Sequence, residues 1–149
     1  MKKNLLILTI LLLGHLAFAQ NTNTLLSNYY NVKNALVNSD AKAASKAIND
    51  LQKTIKSESS FKQKDDLNKA VDKLAKASSV ENQRAVFNEV STLMWQIVNS
   101  NDQVGQPIYY QYCPMKKAYW LSNEVAIKNP YYGSPMLTCG TVTEKKIAM

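Results

Sequence analysis

Histidine is almost missing from this chain, and its one copy, His15, lies in an apolar N-terminal stretch. Beyond that stretch there is no imidazole for a Ser-His or Cys-His pair, a histidine zinc site or a c-type haem attachment. Cysteine is nearly as scarce: Cys113 and Cys139 stand alone and far apart, so no CxxC redox motif exists and a thiol oxidoreductase is disfavoured. Arginine occurs once, at Arg84, and the aromatic residues are not interleaved with the lysines, which argues against nucleic-acid binding. No base, nucleophile and orienting group can be named together. The adjacent Asp65 and Asp66 read as a solvated pair on a helix, and the chain is expected not to be an enzyme. No glycine or proline falls between residues 20 and 104.

What is present begins with a targeting signal. Lys2 and Lys3 precede an apolar run from Leu5 to Leu13, and Ala17-Phe18-Ala19 supplies the small-x-small pattern of a cleavage site before Gln20. Residues 1–19 are expected to be a cleaved signal peptide, since the run falls short of the ~20 apolar residues of a spanning helix. No stable membrane insertion is expected after cleavage. No cysteine follows the site, so lipid attachment is not indicated, and the protein is expected to be periplasmic or secreted. Residues 20–149 suffice for one domain. The chain's net charge of +7 falls to about +5 when Lys2 and Lys3 leave. The remaining lysines alternate with Asp and Glu, as on solvated helix faces.

From residue 24 to 101 the apolar period is helical. Leu25, Tyr29, Val32 and Leu36 form one stripe, and Ala44, Ile48, Leu51 and Ile55 a second. Leu67, Ala70, Val71 and Leu74 form a third; Val86, Val90, Leu93 and Ile97, with Phe87 and Met94 alongside, form a wider fourth. Asn38-Ser39-Asp40, Ser60-x-x-Gln63 and Ser78-x-x-Glu81 carry start signals, the last two matching the capping box. The short connections predict a mainly α fold, an up-and-down bundle of about four helices. Met94 belongs to the core, Tyr29 points inward with Tyr30 at the boundary, and Arg84 pairs with a carboxylate or a loop carbonyl.

After Gly105 the composition changes. Residues 107–112 have the aromatic and β-branched content of a strand, and Trp120-Leu121 and Val125-Ala126-Ile127 are candidate partners. Pro114, Pro130, Pro135, Gly133 and Gly140 punctuate the rest into turns. Residues 105–149 are therefore expected to be an irregular cap with short strands or turns, anchored by Tyr109, Trp120, Ile127 and Tyr132.

The cap also concentrates soft sulfur. Cys113 is followed by Met115, and Met136 precedes Cys139. Thiolate and thioether ligands select Cu(I) and, by the same softness, Ag(I), so Cys113, Met115, Met136 and Cys139 are the candidate metal ligands. Trp120 is a candidate to shield the ion. The competing expectation is a Cys113–Cys139 disulfide with no metal, which in an oxidising compartment would stabilise the fold by roughly 3 kcal/mol. Such a bridge would also bring Met115 and Met136 into one neighbourhood. A purely structural or interaction module of the cell envelope is the alternative function.

The run from Tyr29 to Val37, Arg84-x-x-Phe87-x-x-x-Ser91, Cys113-Pro114-Met115, Tyr119-Trp120-Leu121-Ser122, Asn129-Pro130-Tyr131-Tyr132-Gly133 and Met136-Leu137-x-Cys139-Gly140 together resemble domain of unknown function family 3347. The resemblance spans nearly the whole chain after residue 19. It implies an exported bacterial domain without an established activity, found alone or joined to periplasmic adaptor subunits of copper and silver efflux systems. The Tyr112-Cys113-Pro114-Met115 run is also similar to the start of small heavy-metal-binding domains of those systems, but no histidine follows Met115 here. A periplasmic efflux adaptor is the partner that the resemblance implies.

Overall fold

The computed structural model describes residues 22–58, 61–101 and 104–147. The expected signal peptide and Ser60 lie outside them. Among the described residues the chain forms four helices and a small three-stranded antiparallel sheet. The helices are α1 (22–37), α2 (Ala41–Ser57), α3 (Lys64–Ala75) and α4 (Val80–Asn99). The strands are β1 (Ile108–Cys113), β2 (Ala118–Ser122) and β3 (Thr141–Lys146), in the order β2-β1-β3. No helix among the described residues is long and apolar enough to cross a membrane.

The stripes of α1, α2 and α3 are buried at the expected positions. The stripe of α4 is buried only in part. Phe87, Val90, Ser91, Met94 and Val98 are buried, with Gln83, Trp95 and Ile97, while Val86 and Leu93 are only partly covered. The reason is that α4 is covered twice, by α3 and by β2. Its buried face therefore includes polar residues that a search for apolar side chains passes over.

Helix starts obey capping chemistry with shifts. The Asp40 carboxylate accepts from Ala43 N–H at 2.9 Å, so Asp40 caps α2. Ser79, not Ser78, caps α4, accepting from Asn82 N–H at 3.2 Å. Helix α3 begins at Lys64 behind Gln63, which makes no side-chain cap bond. Asp65 and Asp66 sit in its first turn, where the free N–H groups and the helix dipole favour negative charge.

The sheet also departs from expectation. Residues 125–127 are not a strand; the third strand is β3, whose exposed Thr-Val-Thr-Glu-Lys-Lys sequence carries little apolar signal. The cap anchors are Trp120, Tyr110 and Tyr131, whereas Tyr109, Ile127 and Tyr132 are partly covered. Neighbouring tyrosines in an extended chain point to opposite faces, and Tyr110 rather than Tyr109 stacks on Trp95 of α4, ring centroids 4.7 Å apart.

Strand β2 is an edge whose outward backbone groups are closed by bundle and loop side chains. Asn88 Oδ1 accepts from Tyr119 N–H at 2.7 Å, Tyr131 O–H donates to the Tyr119 carbonyl, and Tyr29 Oη accepts from Leu121 N–H at 3.0 Å. Ser91 O–H is committed to the Phe87 carbonyl at 3.0 Å, so the Tyr29 O–H donates to Ser91 Oγ at 2.7 Å. One buried chain of donors thus runs from β2 through α1 to α4. Tyr29→Phe leaves the Leu121 N–H without its acceptor, and urea denaturation should show a loss of about 2 kcal/mol. A loss under 0.5 kcal/mol would mean that this chain does not hold the cap.

Candidate functional site

The sheet register explains how the two cysteines meet. Cys113 ends β1, and the antiparallel pairing of Tyr112 with Thr141 runs β3 back beside it, so the residues just before β3 arrive at Cys113. The Cys139 thiol lies against the Cys113 thiol, and both are free. Cys113 is buried and Cys139 partly buried. Burial raises the Cys139 pKa above its ordinary value, and its hydrogen bond to Cys113 and the charge of Cys113 raise it further. A cation bound at Cys139 must displace the proton that this environment holds there.

The loop before Cys139 is held from inside. Asn129 N–H donates to the Leu137 carbonyl at 2.8 Å, and the Asn129 amide donates to the Cys139 carbonyl at 2.6 Å. Its Oδ1 accepts from Tyr131 N–H at 2.8 Å. A short 3-10 turn, Ser134–Met136, follows Gly133, and Cys139 N–H donates to the Met136 carbonyl at 3.1 Å. Gly140 has to be glycine: at φ 150° a Cβ there would lie 2.7 Å from Trp120 Cη2 and 2.9 Å from the Tyr112 carbonyl oxygen.

The four sulfur residues are thus unequal. Cys113 and Cys139 are brought together. Met136 is partly buried and tied to Cys139 through the backbone, whereas Met115, on the turn between β1 and β2, is 62% exposed. Trp120 is buried on the same sheet face as Cys113, since their cross-strand partners Gln111 and Ala118 are two residues from each, and Gly140 lies against its ring. Its indole N–H has no partner among the described residues. The same residues contain no group of three or more His, Cys, Asp or Glu side chains that could hold a metal. A site here would therefore rest on two thiols with thioether help.

Two features escaped the sequence reading. Arg84 donates from Nε to the Pro130 carbonyl at 2.7 Å and from Nη2 to the Leu36 carbonyl at 2.8 Å and Ser39 Oγ at 2.9 Å, joining α4, the end of α1 and the cap loop. A loop-carbonyl partner was expected; a three-way junction was not. Lys33, in α1, is only 2% exposed. Burial lowers its pKa to about 8, against the attraction of Glu124 and with the repulsion of Lys128.

No curated protein and no solved structure matches the chain significantly. A family model matches residues 25–105, the helical part, so the Cys113 and Cys139 motifs of the cap lie outside the matched stretch. On that match the chain belongs to the family described as protein of unknown function (DUF3347).

Proposed function

We propose that this chain is an exported, non-catalytic protein that binds one soft monovalent ion, Cu(I) or Ag(I), for sequestration or for delivery to a periplasmic efflux adaptor. The observation that supports this reading most is the adjacency of the Cys113 and Cys139 thiols in the cap. Two thiolates satisfy a soft monovalent ion, whereas Zn(II) asks for four ligands and Ca(II) or Mg(II) for oxygen. Met136 is the more covered thioether, and its carbonyl accepts from Cys139 N–H. Met115, on its exposed turn, suits capture and exchange with a partner. Trp120, buried on the same sheet face as Cys113, is the residue that would shield the ion.

An anaerobic Cu(I) competition titration of the reduced and air-oxidised protein, with thiols counted in each, tests the reading. One equivalent should bind the reduced form, and Cys113→Ser or Cys139→Ser should weaken it at least a hundredfold. Met115→Leu with Met136→Leu should cost about tenfold and leave the helices folded. Binding to both forms alike would move the ion to the methionines, and no binding to the reduced form would end the proposal. The second reading, an interaction module stapled by a Cys113–Cys139 disulfide, draws on the same adjacency. Its mark is a partner captured without metal.

A further inference from the structure

A cleft of about 450 Å³ opens between the N-terminal half of α4 and the turn joining β1 to β2, lined by Glu81, Arg84, Asn88, Lys116, Lys117 and Tyr132, among others. None of the candidate sulfur ligands lines it. Its volume suits a small organic molecule.

Its polar groups are almost all donors. Arg84 is fixed by carbonyl and hydroxyl oxygens, not by a carboxylate, so its charge is held in place without an ion-pair partner among the described residues. Its Nε and Nη2 are occupied, which leaves Nη1. Partial burial lowers its pKa, with Glu81 acting the other way, but a guanidinium stays cationic. Asn88 spends its Oδ1 on Tyr119 N–H at 2.7 Å, and that bond fixes the amide so that its NH2 remains to donate. The Lys116 ammonium lies 4.9 Å from the centroid of the Tyr132 ring, which steadies it at the rim. Lys117 takes the left-handed position of the turn, φ 49°, where glycine would be easier. Three cations face the single carboxylate of Glu81.

We infer that this cleft binds a small organic acid whose carboxylate or phosphate group is received by Arg84, Asn88, Lys116 and Lys117. A ligand that only accepts hydrogen bonds and carries negative charge matches a site that mostly donates. A neutral ligand would leave the excess of positive charge unanswered.

The test is an amide NMR titration of the reduced protein with benzoate, phenyl phosphate and benzamide. Benzoate or phenyl phosphate should produce saturable shifts at Lys116, Lys117 and the Asn88 side-chain amide at millimolar concentration or below, and the tighter of the two identifies the head group. Benzamide should bind at least tenfold more weakly. So should the better anion to Lys116→Gln with Lys117→Gln. Asn88→Asp is the sharper probe, because the carboxylate can still accept from Tyr119 N–H while the donor becomes a negative oxygen; it too should weaken the anion at least tenfold. No saturable shift with either anion, equal affinity for benzamide, or unchanged affinity in well-folded variants would overturn the inference.

Discussion

Arg84→Ala is expected to cost about 3 kcal/mol of stability and to loosen the cap before it unfolds the helices. The guanidinium donates to two carbonyls and a hydroxyl contributed by two separate segments, the end of α1 with its turn and the cap loop, and hydrogen bonds from a charged donor contribute roughly 1.5–3 kcal/mol each before compensation. At the end of α1, Leu36 O also accepts from Ser39 N–H at 3.1 Å, so that carbonyl keeps one partner without Arg84. The end of α1 would still lose a cation where the helix dipole favours one. Ser39 holds a left-handed φ of 56° in this turn. Gly133 closes the junction from the other side, where a Cβ would fall 2.7 Å from Ser39 Oγ and 2.8 Å from Arg84 Nη2. Arg84→Lys should recover less than half of the loss, because one ammonium cannot reach three acceptors arranged around a planar fork. Urea denaturation gives the magnitude, and the rate at which Cys139 reacts with a thiol reagent in the folded state reports the loosening. A loss below 1 kcal/mol with unchanged thiol reactivity would show that the junction is dispensable.

The helices were readable because their burial follows one rule. Ala44, Ile48, Leu51 and Ile55, or Leu67, Ala70, Val71 and Leu74, meet the core on one face, and apolar periodicity reports that directly. Helix α4 departed from the rule in part because tertiary hydrogen bonds make Gln83 and Ser91 fit for burial; Gln83 donates to Ser45 Oγ at 3.0 Å, and Ser91 Oγ accepts from the Tyr29 O–H at 2.7 Å. The choice between Tyr109 and Tyr110, or Tyr131 and Tyr132, depends on which face of the cap meets the bundle. A pair of like residues carries no signal for that. Strand β3 is exposed along its length and exists because its backbone pairs with β1, so its side chains had little to announce.

The concentration of sulfur in the cap was legible in the sequence, but which sulfur residues meet was not. The pairing of β1 with β3 joins the two cysteines, and the turn after Cys113 exposes Met115. The donor-lined cleft was less accessible still, since Arg84, Asn88 and Lys116 are brought together by the docking of the β1–β2 turn on α4. Lys33, by contrast, had a signal that was passed over. It stands four residues after Tyr29 and three before Leu36, on the buried stripe itself.

That position leads to the second large effect: Lys33→Met should stabilise the protein by about 2–3 kcal/mol at pH 7. The folded protein holds the Lys33 proton with a pKa of about 8, against an ordinary 10.5, because burial penalises the ammonium. Each unit of such a difference corresponds to about 1.4 kcal/mol. At pH 7 the side chain is charged in both states, so the folded state carries the full penalty. The groups facing it are Glu124, which attracts it, Lys128, which repels it and is paired to Glu124 at 2.5 Å, and the Tyr30 ring, 5.8 Å from its ammonium. Between pH 8 and 10.5 the unfolded chain keeps a proton that the folded one has released, so the stability of the parent protein should rise with pH across that window. From about pH 9 the rise meets an opposing fall. Burial holds Cys139, Tyr29, Tyr30, Tyr110 and Tyr131 above their ordinary values, so unfolding then releases protons. The parent should therefore be most stable near pH 9, whereas Lys33→Met should lack the rise and share only the fall. Urea denaturation at half-unit pH steps checks both curves. A variant that is no more stable than the parent at pH 7, or that keeps the rise above pH 8, would mean that the Lys33 ammonium reaches water in the folded state.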